Sequence, residues 1–101
     1  MEIKPTKVII CKDGTSEEVQ EYLFSIGYTW KRDEYDYDTT YSSIKAFYKD
    51  IIIILLNNKT FAWETYDNYI NIYLNDIFKN TPAIDSNNFL LKSIRNNRSS
   101  F

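Results

Sequence analysis

The chain has 101 residues, 44% of them apolar and 17% aromatic, and carries a net charge of −2. One domain suits that length, and the mild negative charge argues against whole-molecule attraction to nucleic acid or to a membrane surface. There is no histidine and one cysteine, Cys11, which excludes imidazole acid–base catalysis, Ser-His and Cys-His nucleophile pairs, an internal disulfide and CxxC zinc sites.

Lys7-Val-Ile-Ile-Cys-Lys12 reads as a buried strand, its β-branched residues bracketed by lysines. Asp13-Gly14 marks a turn. Thr15 then opens a helix, with Glu18 three residues on to complete a capping box and Glu17 and Glu18 against the positive helix end. Val19, Tyr22, Leu23 and Ile26 form the apolar stripe, and Gly27 supplies the left-handed residue that ends it. Tyr28 and Trp30 begin the next strand.

Residues 33–43 are polar and acidic, a long loop or two ragged edge strands. Ile44 to Lys49 alternates and predicts a strand, broken at Asp50. Ile51 to Leu56 is apolar on both faces and predicts a central strand. Its six residues fall far short of the roughly 20 needed to span a bilayer. Asn57-Asn58-Lys59 makes a hairpin turn into a strand over Thr60 to Thr65, with Phe61 and Trp63 on one face. From Tyr66 to Lys79 the stripe of Tyr66, Tyr69, Ile70, Tyr73, Leu74, Ile77 and Phe78 predicts a helix, although Ile70, Ile72 and Leu74 also alternate as in a strand. Thr81 to Asp85 is a short extended link, and Ser86 caps a last helix over Asn87 to Ile94. Residues 95–101 read as a frayed basic tail. The sum is one α+β domain over residues 1–94: an antiparallel sheet of four or five strands with two or three helices packed on one face.

Thr15-x-x-Glu18, followed by a helix ending Leu23-x-x-Ile26-Gly27-Tyr28-x-Trp30, resembles small accessory proteins encoded by tailed bacteriophages, as does the closing Ile84-Asp-Ser-Asn-Asn-Phe-Leu90. The resemblance covers about two thirds of the chain, and its motifs are structural. The acidic insert after Arg32 departs from the compact pattern, and no functional residue carries over. The resemblance implies a setting: a viral protein in the cytoplasm of a bacterial host, where such factors bind and redirect or block host proteins. The lone cysteine and an N-terminus unlike a signal peptide point to the same reducing compartment.

The candidate surface is the acidic stretch, where Glu34, Asp36 and Asp38 alternate with Tyr35 and Tyr37, and Tyr41 follows. In an extended chain the carboxylates share one face at steps of about 6.6 Å, and the rings share the other. Three readings are open: a solvated edge that resists sheet-to-sheet pairing, a strip for a basic host protein surface, or a divalent-cation loop, which lacks the glycine and bidentate glutamate of a calcium site. Charge is uneven along the chain: residues 33–85 carry nine acidic against four basic side chains, and residues 86–101 carry three basic and no acidic ones. Lys92, Arg95 and Arg98, at i, i+3, i+6, offer an alternative nucleic-acid contact of modest strength. Carboxylate-pair hydrolysis through Glu64 and Asp67 stays formally open. Cys11, Trp30, Trp63 and the tyrosine stripe read as core.

The expectation is a non-enzymatic accessory protein, without cofactor or metal, that binds a host protein with a basic surface. It has no membrane role, a homodimer through a sheet edge is left open, and a nucleic-acid-binding factor is the second reading.

Overall fold

A computed structural model of the chain describes residues 2–12, 14–31, 42–73 and 78–98. Five strands form one sheet in the order β2-β4-β3-β1-β5. They are β1 (Pro5–Cys11), β2 (Thr29–Trp30), β3 (Ile51–Leu56), β4 (Thr60–Thr65) and β5 (Ala83–Asp85). The helices are α1 (Ser16–Ser25), α2 (Tyr66–Asn68) and α3 (Ser86–Arg98), and a π-helical turn, Tyr69–Tyr73, continues α2.

The α+β architecture is the one the sequence predicts, but the sheet is mixed rather than antiparallel. β3 pairs antiparallel with β1 and with β4, whereas β5 runs parallel to β1 and β2 runs parallel to β4. Only β3 opposes the other four. The cause is two direction-preserving crossovers, since parallel neighbours need a long return path. α1 carries the chain from β1 to β2, and residues 66–82 carry it from β4 to β5. The segment read as an extended link before α3 thus contains an edge strand, β5: Val8 N–H donates to the Pro82 carbonyl, and Val8 to Ile10 pair with Ala83 to Asp85.

β3 lies at the centre, and all six of its residues are buried. Its alternation supplies two cores. On one face Ile51, Ile53 and Leu55 join Ile9, Cys11, Val19, Leu23, Trp30, Phe61 and Phe89 under α1 and α3. On the other, Ile52, Ile54 and Leu56 join Val8, Tyr69 and Phe78. The helical elements therefore cover both faces, not one: α1 and α3 lie on the first, and the α2–π-turn segment lies on the second. Burying one such aliphatic side chain contributes about 1.5–3 kcal/mol, so β3 is the largest single source of cohesion.

α1 ends as its sequence requires. Gly27 has φ +98°, its N–H donates to the Phe24 carbonyl, and the Tyr28 N–H donates to the Leu23 carbonyl, the paired bonds of a Schellman motif. The start of α1 differs from expectation. The Thr15 side chain makes no capping bond; its hydroxyl donates to the Lys12 carbonyl and meets the Ser86 hydroxyl at the start of α3. Ser86 is free to do this because Asp85, one residue earlier, caps α3 by accepting the Asn87 N–H. A hydroxyl pair thus ties the openings of two helices together across the sheet end.

The helical reading of residues 66–79 is correct through Tyr73, and Phe78 to Asn80 form a bend and turn. α3 continues past Ile94, where the sequence reading ends it, to Arg98. In the β3–β4 hairpin Lys59 takes φ +67°, the left-handed residue that closes a three-residue loop. Its ammonium donates to the Ile26 carbonyl at the end of α1 and lies 5.5 Å from the Tyr28 ring centre, a favourable place for a cation at a helix C-terminus.

Residues 44–49, predicted as a strand, pair with no strand among the described residues. They form a strap across the first face, extended as far as Phe47 and bent at Tyr48 and Lys49. Gln20 holds it: the side-chain amide donates to the Lys45 carbonyl at 2.9 Å and accepts the Lys45 N–H at 2.7 Å. One glutamine thereby meets both hydrogen-bonding needs of that residue's backbone, which a neighbouring strand would otherwise meet. The Trp30 indole N–H donates to the Ser43 carbonyl at 2.9 Å.

Candidate functional site

The strap determines which side chains face solvent. Alternation survives in it, with its sense fixed by the anchors. Ser43, Lys45 and Phe47 turn partly inward, and Ile44, Ala46 and Tyr48 turn outward. Phe47 packs on the first core, with ring centres 6.5 Å from Trp30 and 4.7 Å from Trp63. Trp63, on β4, is 43% exposed, and Tyr48 is 98% exposed. An outward apolar row therefore stands on a backbone that is pinned from beneath.

Two depressions flank this row. One is mostly apolar, about 450 Å³, and is lined by the strap, Ile51, Trp63 and Thr65. The other is a more polar cleft of about 770 Å³ between the end of the strap and the beginning of α2. Tyr48, Lys49, Asp50, Tyr66, Asp67 and Asn68 line it, above Gly14. Its position follows from local structure. Asp50 ends the strap, and its carbonyl accepts the Tyr66 N–H where α2 begins, so the two walls are joined by main chain. The Lys12 ammonium lies 4.6 Å from the Tyr66 ring centre, within the range of a cation–π attraction.

The carboxylates near this cleft differ in their commitments. Glu64 accepts from the Thr65 N–H and from the Asn68 amide, while the Thr65 hydroxyl accepts the Asn68 N–H. Glu64 therefore belongs to the hydrogen-bond network at the start of α2. Asp50 and Asp67 are exposed on the cleft wall, and among the described residues neither carboxylate makes a hydrogen bond or ion pair.

Glu34, Tyr35, Asp36, Tyr37, Asp38 and Tyr41 lie outside the described residues; the strap begins directly after them. Lys92 is exposed on α3, and Arg95 and Arg98 belong to the same helix. The residues read as core divide. Trp30 and Tyr69 are buried, Tyr66 is half-buried at the cleft, and Trp63 is partly exposed beside Phe47. Burial, followed by the neighbouring Tyr66, raises the Tyr69 phenol above its ordinary range. Cys11 is buried, its thiol directed at the Ile9 carbonyl, and burial pushes its pKa up to about 12 with a smaller contribution from Asp85. It is no nucleophile at neutral pH, because the thiolate is the reactive form.

Comparison of the chain with protein-family models, with curated proteins and with solved structures gave no significant match. The site must therefore be argued from its own geometry. No helix among the described residues is long and apolar enough to cross a membrane, and no group of three or more Cys, Asp or Glu among them is placed to hold a metal ion.

Sequence reasoning missed Tyr48. The available signal was the adjacent pair Phe47-Tyr48: in an extended chain two consecutive rings face opposite ways, so with Phe47 on the core Tyr48 must face water.

Proposed function

We propose that this protein is a non-enzymatic binding module whose strap, residues 44–49, forms part of a contact surface for another protein. The observation that carries this reading is the outward row Ile44, Ala46 and Tyr48 on a backbone fixed by Gln20 and Trp30. An exposed aromatic ring on a pre-positioned backbone supplies contact area with little ordering left to be done on binding. Exposed rings of this kind are the usual energetic anchors of protein interfaces. The partner is a host protein with a basic surface. Glu34, Asp36 and Asp38 would steer it, since complementary charge acts mainly on approach and selectivity. Tyr35, Tyr37 and Tyr41 would extend the aromatic contact. The resemblance to phage accessory proteins supports the bacterial cytoplasm as the setting.

The continuity of α3 through Arg98 supports the second reading, in which Lys92, Arg95 and Arg98 on one helix contact nucleic acid.

Affinity purification from bacterial lysate, with mass spectrometry and wild-type, Tyr48→Ala and Asp36→Lys/Asp38→Lys baits, separates the two. The first reading expects a protein partner whose retention falls at least about tenfold with Tyr48→Ala, with no change in thermal stability, since an exposed ring contributes little to folding. It also expects salt-sensitive capture that weakens when Asp36 and Asp38 are reversed. Capture of DNA or RNA alone, lost on Arg95→Ala/Arg98→Ala, overturns it in favour of the second.

A further inference from the structure

We infer that residues 46–49 are a hinged flap latched by the Phe47 ring, and that the latch sets whether Tyr48 is presented; the second half rests on the reading of the strap as a contact surface and supplies its regulation. The segment is fixed at both ends. Gln20 holds both main-chain groups of Lys45, and the Asp50 carbonyl accepts the Tyr66 N–H. Between those points the chain is untied: among the described residues, no group of Ala46, Phe47, Tyr48 or Lys49 takes part in a hydrogen bond or ion pair. Main chain without such bonds, on the surface and between fixed points, opens locally at small cost. There is also room for the movement. Phe47, Tyr48 and Lys49 line both depressions, the apolar one of about 450 Å³ and the polar one of about 770 Å³, so the segment has open volume on either side.

One ring opposes that freedom. Phe47 is half-buried, with ring centres 4.7 Å from Trp63 and 6.5 Å from Trp30, both within the range of aromatic pairing. Tyr48 is 98% exposed and anchors nothing. Its direction is inherited from its neighbour. With Phe47 seated, the ring of Tyr48 stands in water above the bend. With Phe47 lifted, residues 46–49 pivot about Lys45 and Asp50, and the row of Ile44, Ala46 and Tyr48 is broken. Phe47 is therefore a positioning residue for the contact surface. A partner that recognises the seated form binds in proportion to the fraction of molecules in which Phe47 is seated.

The test is NMR of the full chain labelled with ¹⁵N and 5-fluorotryptophan, whose two fluorine signals, Trp30 and Trp63, are assigned with Trp63→Phe. The expected result for wild type is relaxation dispersion on the μs–ms timescale, shared by the Trp63 fluorine and the amides of residues 46–49 and absent from Lys45 and β3. Phe47→Ala is expected to leave the β3 amides in place and to lower the order parameters of residues 46–49 below about 0.6. It should also weaken partner capture about tenfold, as when roughly one molecule in ten is seated. Phe47→Leu, which keeps an apolar latch, should fall between the two, and it carries the comparison if Phe47→Ala does not fold. No dispersion in wild type, dispersion that runs on through Lys45 and β3, or order parameters that stay near 0.85 in the latch variants each overturn the flap. A loosened flap whose capture equals that of wild type, while Tyr48→Ala loses it, overturns the role of the latch and leaves the contact surface standing. Capture that ignores Tyr48 sinks the contact surface itself, and the relaxation data then decide the flap by themselves.

Discussion

Gly27 shows how a single position can be dictated by backbone angle rather than by space. A Cβ built there would meet nothing closer than the Lys59 ammonium at 3.8 Å, which is ordinary contact. The difficulty is φ +98°, a region that side-chain-bearing residues rarely adopt. Gly27→Ala is therefore expected to destabilise the fold by about 1–2 kcal/mol through strain alone, measured by urea denaturation. Because crowding is not the cause, Gly27→Asn should recover part of the loss, asparagine tolerating left-handed backbone better. This residue was legible in the sequence for the same reason: an apolar stripe that stops one residue before a glycine leaves few alternatives. Ser86 was misread by one position. Asp85 and Ser86 are both good caps, and only the Thr15 hydroxyl, far away in sequence, decides which of them turns to the helix end and which to its neighbour.

The strap is the element whose existence depends most on one side chain. Gln20 sits wholly buried in α1 and meets both main-chain groups of Lys45. Gln20→Ala removes both bonds and is expected to cost about 1–3 kcal/mol. It should also release the strap locally, seen as faster amide exchange at Lys45 and altered Trp30 fluorescence, with β3 still protected. If the row of Ile44 and Tyr48 is a binding surface, the same variant should weaken partner capture without touching a contact residue. The alternation over Ile44 to Lys49 was visible in the sequence, and the chain is extended as far as Phe47 but bends at Tyr48 and Lys49. That its partners come from a glutamine rather than from a strand was not visible, because the hydrogen bonds of one residue leave no periodic mark. β3 was fully legible, since only a strand covered on both faces reads as an unbroken aliphatic run.

For the molecule as a unfolding whole, the buried thiol links stability to alkaline pH. Cys11 releases its proton at an ordinary 9.0 in the unfolded chain and near 12 in the folded one, chiefly because burial disfavours the thiolate. The folded state holds the proton where the unfolded state has lost it. The stabilisation is complete below pH 9 and is lost progressively as pH rises toward 12. Denaturation midpoints of wild type should fall more steeply over that window than those of Cys11→Ala, with the two running parallel below pH 9. Iodoacetamide should label the native protein at neutral pH only at the rate of unfolding. The overall class was legible from strand and helix periodicity. The strand directions were not, because a crossover and a meander use the same local patterns and differ only in where the chain returns.

The parallel pairing of Val8 with Ala83 joins an early strand to a late one. On the ribosome, β1 can pair with β3 soon after β3 emerges, but its other edge stays bare until β5 follows. A nascent chain of this protein therefore exposes an unfinished sheet border through much of its synthesis, and the final seal is a step that follows translation of the last helix's first turn.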